Sequence, residues 1–328
     1  MKKNLNMVIL DDYQKYFHQM KNDKRLPENI NLTIFENHFN NSKDLVYHLK
    51  KYNIIVGIRE RTSFPEKVIN KLPNLNLLIT TGLKNASFDL DASTKNNIVV
   101  SGTSGSGEGP VDLTWGLIIS LVRKIHIEDK LVREGKWGHF IGPSLSGKTL
   151  GILGLGHIGK LVSKVGLAFG MKVISWSENL DQISAKKYGV TYVDKETLFS
   201  KSDILSIHTK LSDRTRGIVG KKEISFMKPT SYLINTSRGP IIKEQALIEA
   251  LNSNKIAGAG LDTFDVEPLY PSHPLLHTPN TLLTPHIGYV TKEAYKAYYE
   301  GILENVISFL NHNPTRVLNP EVLSKLYG

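Results

Sequence analysis

The stretch TLGILGLGHIGK, residues 149–160, decides how this chain is read. Thr149 to Leu153 is a short apolar run suited to a buried parallel strand, and HIGKLVSKVGLAFG, residues 157–170, has helical spacing. Gly154, Gly156 and Gly159 stand at the join. In such a strand–turn–helix the first glycine permits the tight turn. The second lets the backbone approach a pyrophosphate, and the third lets helix and strand pack closely. Amides at the helix N-terminus then face the phosphates. A second strand, KVISWS at 172–177, follows at βαβ distance, so the turn reads as a dinucleotide site and not merely as a glycine-rich bend.

The expected contacts there are Gly154, Gly156 and Gly159 with the backbone of His157 and Ile158. A ribose-binding carboxylate is expected about 20 residues further on. Eighteen past Gly159 stands Ser177, followed by Glu178. A serine does not repel a 2′-phosphate, whereas Glu178 turned inward restores preference for NAD, so the expected cofactor is NAD or NADP.

Working outward, short apolar runs alternate with amphipathic segments, the pattern of parallel sheets covered by helices. MVILDD, NLTIFEN, NIIVGIR, NLLITTG and NIVVSG make five strands of a flavodoxin-like unit, with helices such as SKDLVYHLKK and PEKVINKLP between them. The cluster SGTSGSGEGP, residues 101–110, reads as a hinge. Residues 111–137 keep helical periodicity for about six turns and are expected to form one long helix. In the second unit KVISWS, VTYV, DILSIHT, SYLINTS, IAGAGLD and TLLTP are each expected to follow a helix, and residues 291–313 form a long amphipathic helix. The fold class is therefore α/β, with two doubly wound parallel-sheet domains. Residues 1–108 and 293–328 make a discontinuous substrate domain, and 109–292 make a Rossmann dinucleotide-binding domain.

Composition narrows the function classes. The 328 residues are 40% hydrophobic and 22% charged, enough for two cores and against disorder. The absence of cysteine removes disulfides and thiolate chemistry. The apolar run after Lys2 and Lys3 is broken by Asp11 and Asp12, too short for a secretory leader, and no run approaches the roughly 20 residues that cross a bilayer. A cytoplasmic protein without membrane association is expected. The net charge of +10 is scattered among Asn, Asp and Glu, which speaks for small anionic ligands and against nucleic acid.

The stretch from Asp262 to Gly288 carries five prolines, so it is neither one helix nor one central strand. It holds Glu267 beside Pro268 and His286 beside Pro285. Upstream, SYLINTSRGP ends a strand with Thr236 and Arg238. Ligands in open parallel sheets sit at the carboxyl ends of strands, where these residues converge. Hydride transfer to a keto acid needs a grip on the acid, polarisation of the carbonyl and a proton donor. Arg238 offers a planar fork for carboxylate and carbonyl oxygens. His286 suits acid/base work, and Glu267 fixes its ring and favours the imidazolium. In the first unit GIRERTSF puts Arg59 and Arg61 at a strand end, and Arg59 is expected to help hold the acid.

The run from Gly147 to Gly288 resembles the D-isomer-specific 2-hydroxyacid dehydrogenases, through GKTLGILGLGHIG, MKPTSYLINTSRGPIIKEQALIEALNSNKIAGAGLDTFDVEP and TPHIG in matching order. The resemblance implies that Arg238, Glu267 and His286 are catalytic, that Asp262 contacts the nicotinamide carboxamide, that the last long helix returns to the first domain, and that the protein is a homodimer. TTGLKNASFDLDAS resembles the family loop whose amides take the substrate carboxylate, which points to Leu83 and Lys84; many relatives have a glycine where Lys84 stands. The implied activity is reduction of a small 2-keto acid to a D-2-hydroxy acid after closure about the hinges. A nicotinamide-sensing regulator of corepressor type is the alternative, and a formate- or phosphite-type oxidation a weaker one. His273 and His277 have metal-pair spacing but lie between prolines, so no metal is expected. His208, Trp137 and Tyr289 are read as packing residues.

Overall fold

The computed structural model describes residues 4–105 and 107–327; residues 1–3, 106 and 328 lie outside it, so the expected hinge is described except at Ser106. The chain divides into two compact units, one of residues 1–106 and 291–328 and one of 107–290.

The first unit is a five-stranded parallel sheet of β1 (Leu5–Ile9), β2 (Ile30–Ile34), β3 (Ile54–Gly57), β4 (Leu77–Thr80) and β5 (Val99–Gly102). Its order, β2-β1-β3-β4-β5, is flavodoxin-like. The helices α1 (Ser42–Leu49), α2 (Glu66–Ile69) and α3 (Leu90–Lys95) make the crossovers. Asn41 and Asp89 cap α1 and α3 by accepting first-turn amides, which fixes where the strands can restart. Val8, Ile55, Leu78 and Val100 project into a core closed by Leu45, Leu49, Val68 and Ala92.

The second unit opens with α4 (Gly109–Val122) and α5 (Ile125–Arg133). Residues 111–137 were expected to be one helix and are not. Lys124 adopts φ 53°, ψ 32°, and Gly142 on the returning chain lies so close to the Val122 carbonyl that a Cβ there would collide with it. The apolar stripe that buries α4 stops at Val122, while α5 buries no side chain, so no packing force carries the helix straight on.

Seven parallel strands follow: β6 (Thr149–Leu153), β7 (Lys172–Trp176), β8 (Thr191–Tyr192), β9 (Ile204–Ile207), β10 (Tyr232–Asn235), β11 (Gly258–Leu261) and β12 (Thr281–Leu283). The helices between them are α6 (His157–Ala168), α7 (Gln182–Lys186), α8 (Lys195–Lys201), α9 (Lys221–Phe226) and α10 (Glu244–Asn252). The order β12-β11-β10-β9-β6-β7-β8 reverses between β9 and β6, as in a Rossmann sheet. Neighbouring residues feed opposite faces: Ile152, Ile204 and Ile234 enter one core, and Leu153, Leu205 and Leu233 the other. Two expectations fail locally. β12 follows a 3-10 turn, Pro274–His277, because the prolines deny it a helix, and β8 pairs over only two exposed residues.

The chain re-enters the first unit with α11 (Lys292–Leu310), capped by Thr291, and α12 (Glu321–Tyr327). Between them the segment at 316–318 runs antiparallel to β5: Gly102 N donates to Arg316 O at 3.0 Å and Leu318 N to Val100 O at 2.7 Å.

Candidate active site

Three loops of the second unit are built around backbone contacts at strand ends. After β10, Asn235 accepts from Ser237 N through Oδ1 (3.0 Å) and donates to Arg238 O through Nδ2 (3.0 Å), bracing the turn. Ser237 Oγ donates to Thr209 O (2.6 Å), tying that turn to the end of β9. Gly239 lies flat on the Phe264–Asp265 peptide, where any Cβ would collide with backbone. The half-buried Arg238 is thereby seated against the loop that carries Glu267.

Glu267 divides its carboxylate. Oε1 accepts from Phe264 N at 2.8 Å, anchoring the group on its own loop, while Oε2 meets His286 Nδ1 at 2.6 Å. A carboxylate accepts only, so Nδ1 carries the proton and Nε2 is the nitrogen left to exchange one. His286 itself has φ 53°, a left-handed conformation uncommon for histidine. Asp262 maintains it: Oδ1 accepts from Thr284 Oγ1 (2.6 Å) and Ile287 N (2.8 Å), and Oδ2 from Gly288 N (2.9 Å). Burial pushes the Asp262 carboxyl above its ordinary value, against the pull of those three bonds. Tyr289 packs edge-on against the imidazole, centroids 5.4 Å apart.

The glycine turn fits a dinucleotide. Gly154 has φ 99° and faces Thr209, whose amide nitrogen would lie 2.7 Å from a Cβ, so the turn after β6 touches the end of β9 where the strand order reverses. A Cβ on Gly159 would collide with Gly154 O, whereas one on Gly156 would meet nothing within 4 Å. Gly156 caps α6 and has no side chain to satisfy the first-turn amides, which include those of His157 and Ile158. Two glycines therefore serve packing, and the third leaves a clear approach to uncapped amides. Ser177 is half-buried just past β7 and Glu178 is exposed in the next turn. Thr236 pairs its hydroxyl with Thr114 of α4 at 2.8 Å. His208 bonds Ser206 Oγ through Nε2 (2.8 Å), and burial pushes its pKa down to about 3, so it stays neutral.

In the first unit Arg59 lies over Gly82, the residue that precedes Leu83 and Lys84. Arg59 follows β3 in a left-handed conformation, φ 54°, with its amide on Thr81 Oγ1 (2.8 Å) and Nη1 on Thr81 O (3.1 Å). Its guanidinium covers Gly82, where a side chain would collide with it. Both backbone groups of Gly82 are taken by Thr103, through N to Oγ1 at 3.0 Å and O from N at 3.1 Å. Exposed Leu83 and Lys84 follow. Sequence reasoning missed Asn85, whose Nδ2 reaches both Arg59 O (2.7 Å) and Thr80 Oγ1 (2.9 Å); an asparagine inside a turn was the available signal. Arg61 is engaged elsewhere, on Asp11 O (2.6 Å) and Gln14.

His273 is buried, with Nε2 3.1 Å from Glu244 and Nδ1 accepting from Leu275 N. Among the described residues no group of three or more His, Cys, Asp or Glu could hold a metal, and no helix is long and apolar enough to cross a membrane.

A two-unit α/β chain with a dinucleotide turn and a histidine–carboxylate pair is the architecture of a nicotinamide-dependent dehydrogenase. Residues 115–288 match the model of the D-isomer specific 2-hydroxyacid dehydrogenase NAD binding domain. A glyoxylate reductase of Thermococcus litoralis is 37% identical over 270 residues, 79% of this chain and 81% of that protein. A hydroxypyruvate reductase of Blautia hydrogenotrophica is 32% identical over 79% of this chain and 83% of its own. The solved structure of a phosphoglycerate oxidoreductase from Vibrio cholerae O395 superposes with a TM-score of 0.88 at 34% identity, covering 94% of this chain and 99% of that one. The chain belongs to the D-isomer-specific 2-hydroxyacid dehydrogenase family. It is an NAD(P)-dependent oxidoreductase of 2-hydroxy acids.

Proposed function

We propose that the protein reduces a small 2-keto acid of the glyoxylate or hydroxypyruvate type to its D-2-hydroxy acid, with Arg238, Glu267 and His286 as the reacting groups. The observation that carries this is the 2.6 Å contact between Glu267 and a His286 held in a left-handed conformation. Bound nicotinamide supplies the hydride. Arg238 polarises the carbonyl and grips the acid, and His286 Nε2 delivers a proton to the forming alkoxide. Glu267 fixes the imidazole ring through Nδ1 and keeps Nε2 aimed. Arg59 and the amides of Leu83 and Lys84 hold the substrate carboxylate, with Asn85 keeping Arg59 and that loop in register.

The amides opening α6 bind the pyrophosphate, with Gly154, Gly156 and Gly159 shaping the turn; Ser177 and Glu178 face the adenosine ribose, and Thr236 and Asp262 border the nicotinamide. Residues 107–290 serve as the dinucleotide domain and the rest as the substrate domain. We further propose a cytosolic homodimer. Its support is one stretch of exposed apolar side chains, Ile125, Val132, Trp137, Phe140 and Ile141, with Trp137 85% accessible. A monomer mass at micromolar concentration in sedimentation would remove the dimer.

The activity test is a stereospecific screen with NADH and NADPH against a dozen 2-keto acids. Oxidation of either coenzyme with release of the D product is expected; tight coenzyme binding with no turnover on any acid would sink the reading in favour of a regulator.

A further inference from the structure

Helix α1 carries Lys43, Val46 and Tyr47 at i, i+3 and i+4, and its C-cap Lys50 continues the same stripe at i+7. Such a stripe is ordinarily apolar and buried, yet here a different set, Leu45 and Leu49, enters the core. The second stripe consists of Lys67 and Val68 on α2 and Lys71 just past its end. The two stripes, with Ser42, line one open groove of about 270 Å³.

Four ammonium groups and no carboxylate line that groove. Among the described residues none of the four makes an ion pair. The acid of α1 closest in sequence, Asp44, is occupied by the helix cap, accepting from Asn41 Nδ2 at 2.7 Å. Lys67 lies on α2 and Lys71 two residues past its end, and no carboxylate stands with them in the groove. Tyr47 is 69% exposed at the rim, and Lys50 Nζ stands 5.3 Å from its ring centroid.

We propose that this groove is a second anion site, within the first unit, that takes a small phosphate-bearing molecule with a flat ring, of the nucleoside di- or triphosphate kind. The chemistry of the two ends differs. Lysine ammoniums are mobile point charges that suit phosphate oxygens without demanding bidentate geometry. The groove lies just below the roughly 300–1,000 Å³ of most small-molecule pockets, so it accommodates the charged end. The ring then lies on Tyr47, with the lysine stems and the two valines as the apolar floor. Four cations, two on helices and two just past their ends, distinguish the groove from an ordinary solvated face, where charges of both signs are interspersed.

The test is calorimetric titration of inorganic tripolyphosphate and of ATP into the full-length protein, with NADH saturating so that the dinucleotide turn is filled. Each probe is expected to bind once per chain and to weaken as salt rises from about 50 to 500 mM. Lys67→Glu with Lys71→Glu should weaken both at least tenfold, while keto-acid turnover stays at the parent rate, showing the variant folded. Tyr47→Ala should weaken ATP severalfold and leave tripolyphosphate within twofold. Absence of binding at millimolar probe, or equal affinity of parent and charge-reversed protein, overturns the proposal. So does a short single-stranded oligonucleotide that binds more tightly than either small probe.

Discussion

The loops around His286 and the loop around Gly82 solve the same problem in opposite ways. In the second unit the groups proposed to react are side chains, and backbone amides fasten them or their turns: Phe264 N holds Glu267, and Ile287 N and Gly288 N tie the His286 turn to Asp262. In the first unit the groups proposed to bind are largely backbone amides, and side chains hold them: Asn85, Thr81 and Thr103 fix Arg59 and Gly82. The contrast follows from what each must do. A proton donor needs a titratable side chain, while a carboxylate can be gripped by N–H groups already fixed in place, which need no reorganisation on binding. Substitution should therefore delete chemistry in one region and loosen geometry in the other.

The largest effect tests the first half of that contrast. His286→Ala should lower kcat about 10²–10⁴-fold while coenzyme affinity stays near the parent value; a variant turning over normally would sink the acid/base role. Next, Asp262→Asn sets an amide donor against Ile287 N or Gly288 N and releases the His286 turn, so kcat should fall about 10²-fold, more than coenzyme affinity falls through the loss beside the nicotinamide. An equal loss of both would mean that the carboxylate only supports the fold.

The other half is sharpened by Arg59 and Asn85. Arg59→Ala should raise KM about tenfold or more, and Asn85→Ala severalfold, with kcat within about twofold in each. Asn85→Asp sets a carboxylate oxygen against Arg59 O, while Thr80 Oγ1 can turn to donate, and should exceed Asn85→Ala. If kcat falls and KM does not, the first-unit loop is not a binding element.

The smallest effect lies away from both regions. Asp203 accepts from Thr149 N and Lys228 Nζ, each at 2.8 Å, at the base of the Rossmann sheet. Burial raises its carboxyl, but those bonds win and hold it below the ordinary value. A depressed carboxyl stabilises the fold above its unfolded pKa near 3.9 and loses that contribution as pH falls through the folded one. Asp203→Asn should thus cost about 1 kcal/mol in urea denaturation at neutral pH, and the gap should close on acidification. A gap that is constant with pH would show that the charge is irrelevant.

Much of this was legible because it rests on local chemistry. Gly154, Gly156 and Gly159 announce a strand-to-helix turn, and alternating apolar runs announce the stretches that become the twelve strands. Arg238, Glu267 and His286 stand out because strand ends are where a parallel sheet presents its ligands. What escaped depends on contacts between distant segments. The break at Lys124 follows from Gly142 crossing a helix end, eighteen residues later in the chain. Asp262 was read through the coenzyme, yet its carboxylate holds Thr284, Ile287 and Gly288, a pairing that no spacing rule encodes. Asn85 carries no chemistry of its own, so a search for reactive groups passes over it.

The first unit takes its strands from the start of the chain and its last helices from the end. On the ribosome the Rossmann unit is fully synthesised while the flavodoxin-like one still waits for its closing pieces. Until Arg316 to Leu318 emerge, the outer edge of β5 offers unpaired N–H and C=O groups to any passing strand. The interval between emergence of Gly102 and of Leu318 is thus when the nascent protein is most open to mispairing, and chaperone protection matters most there.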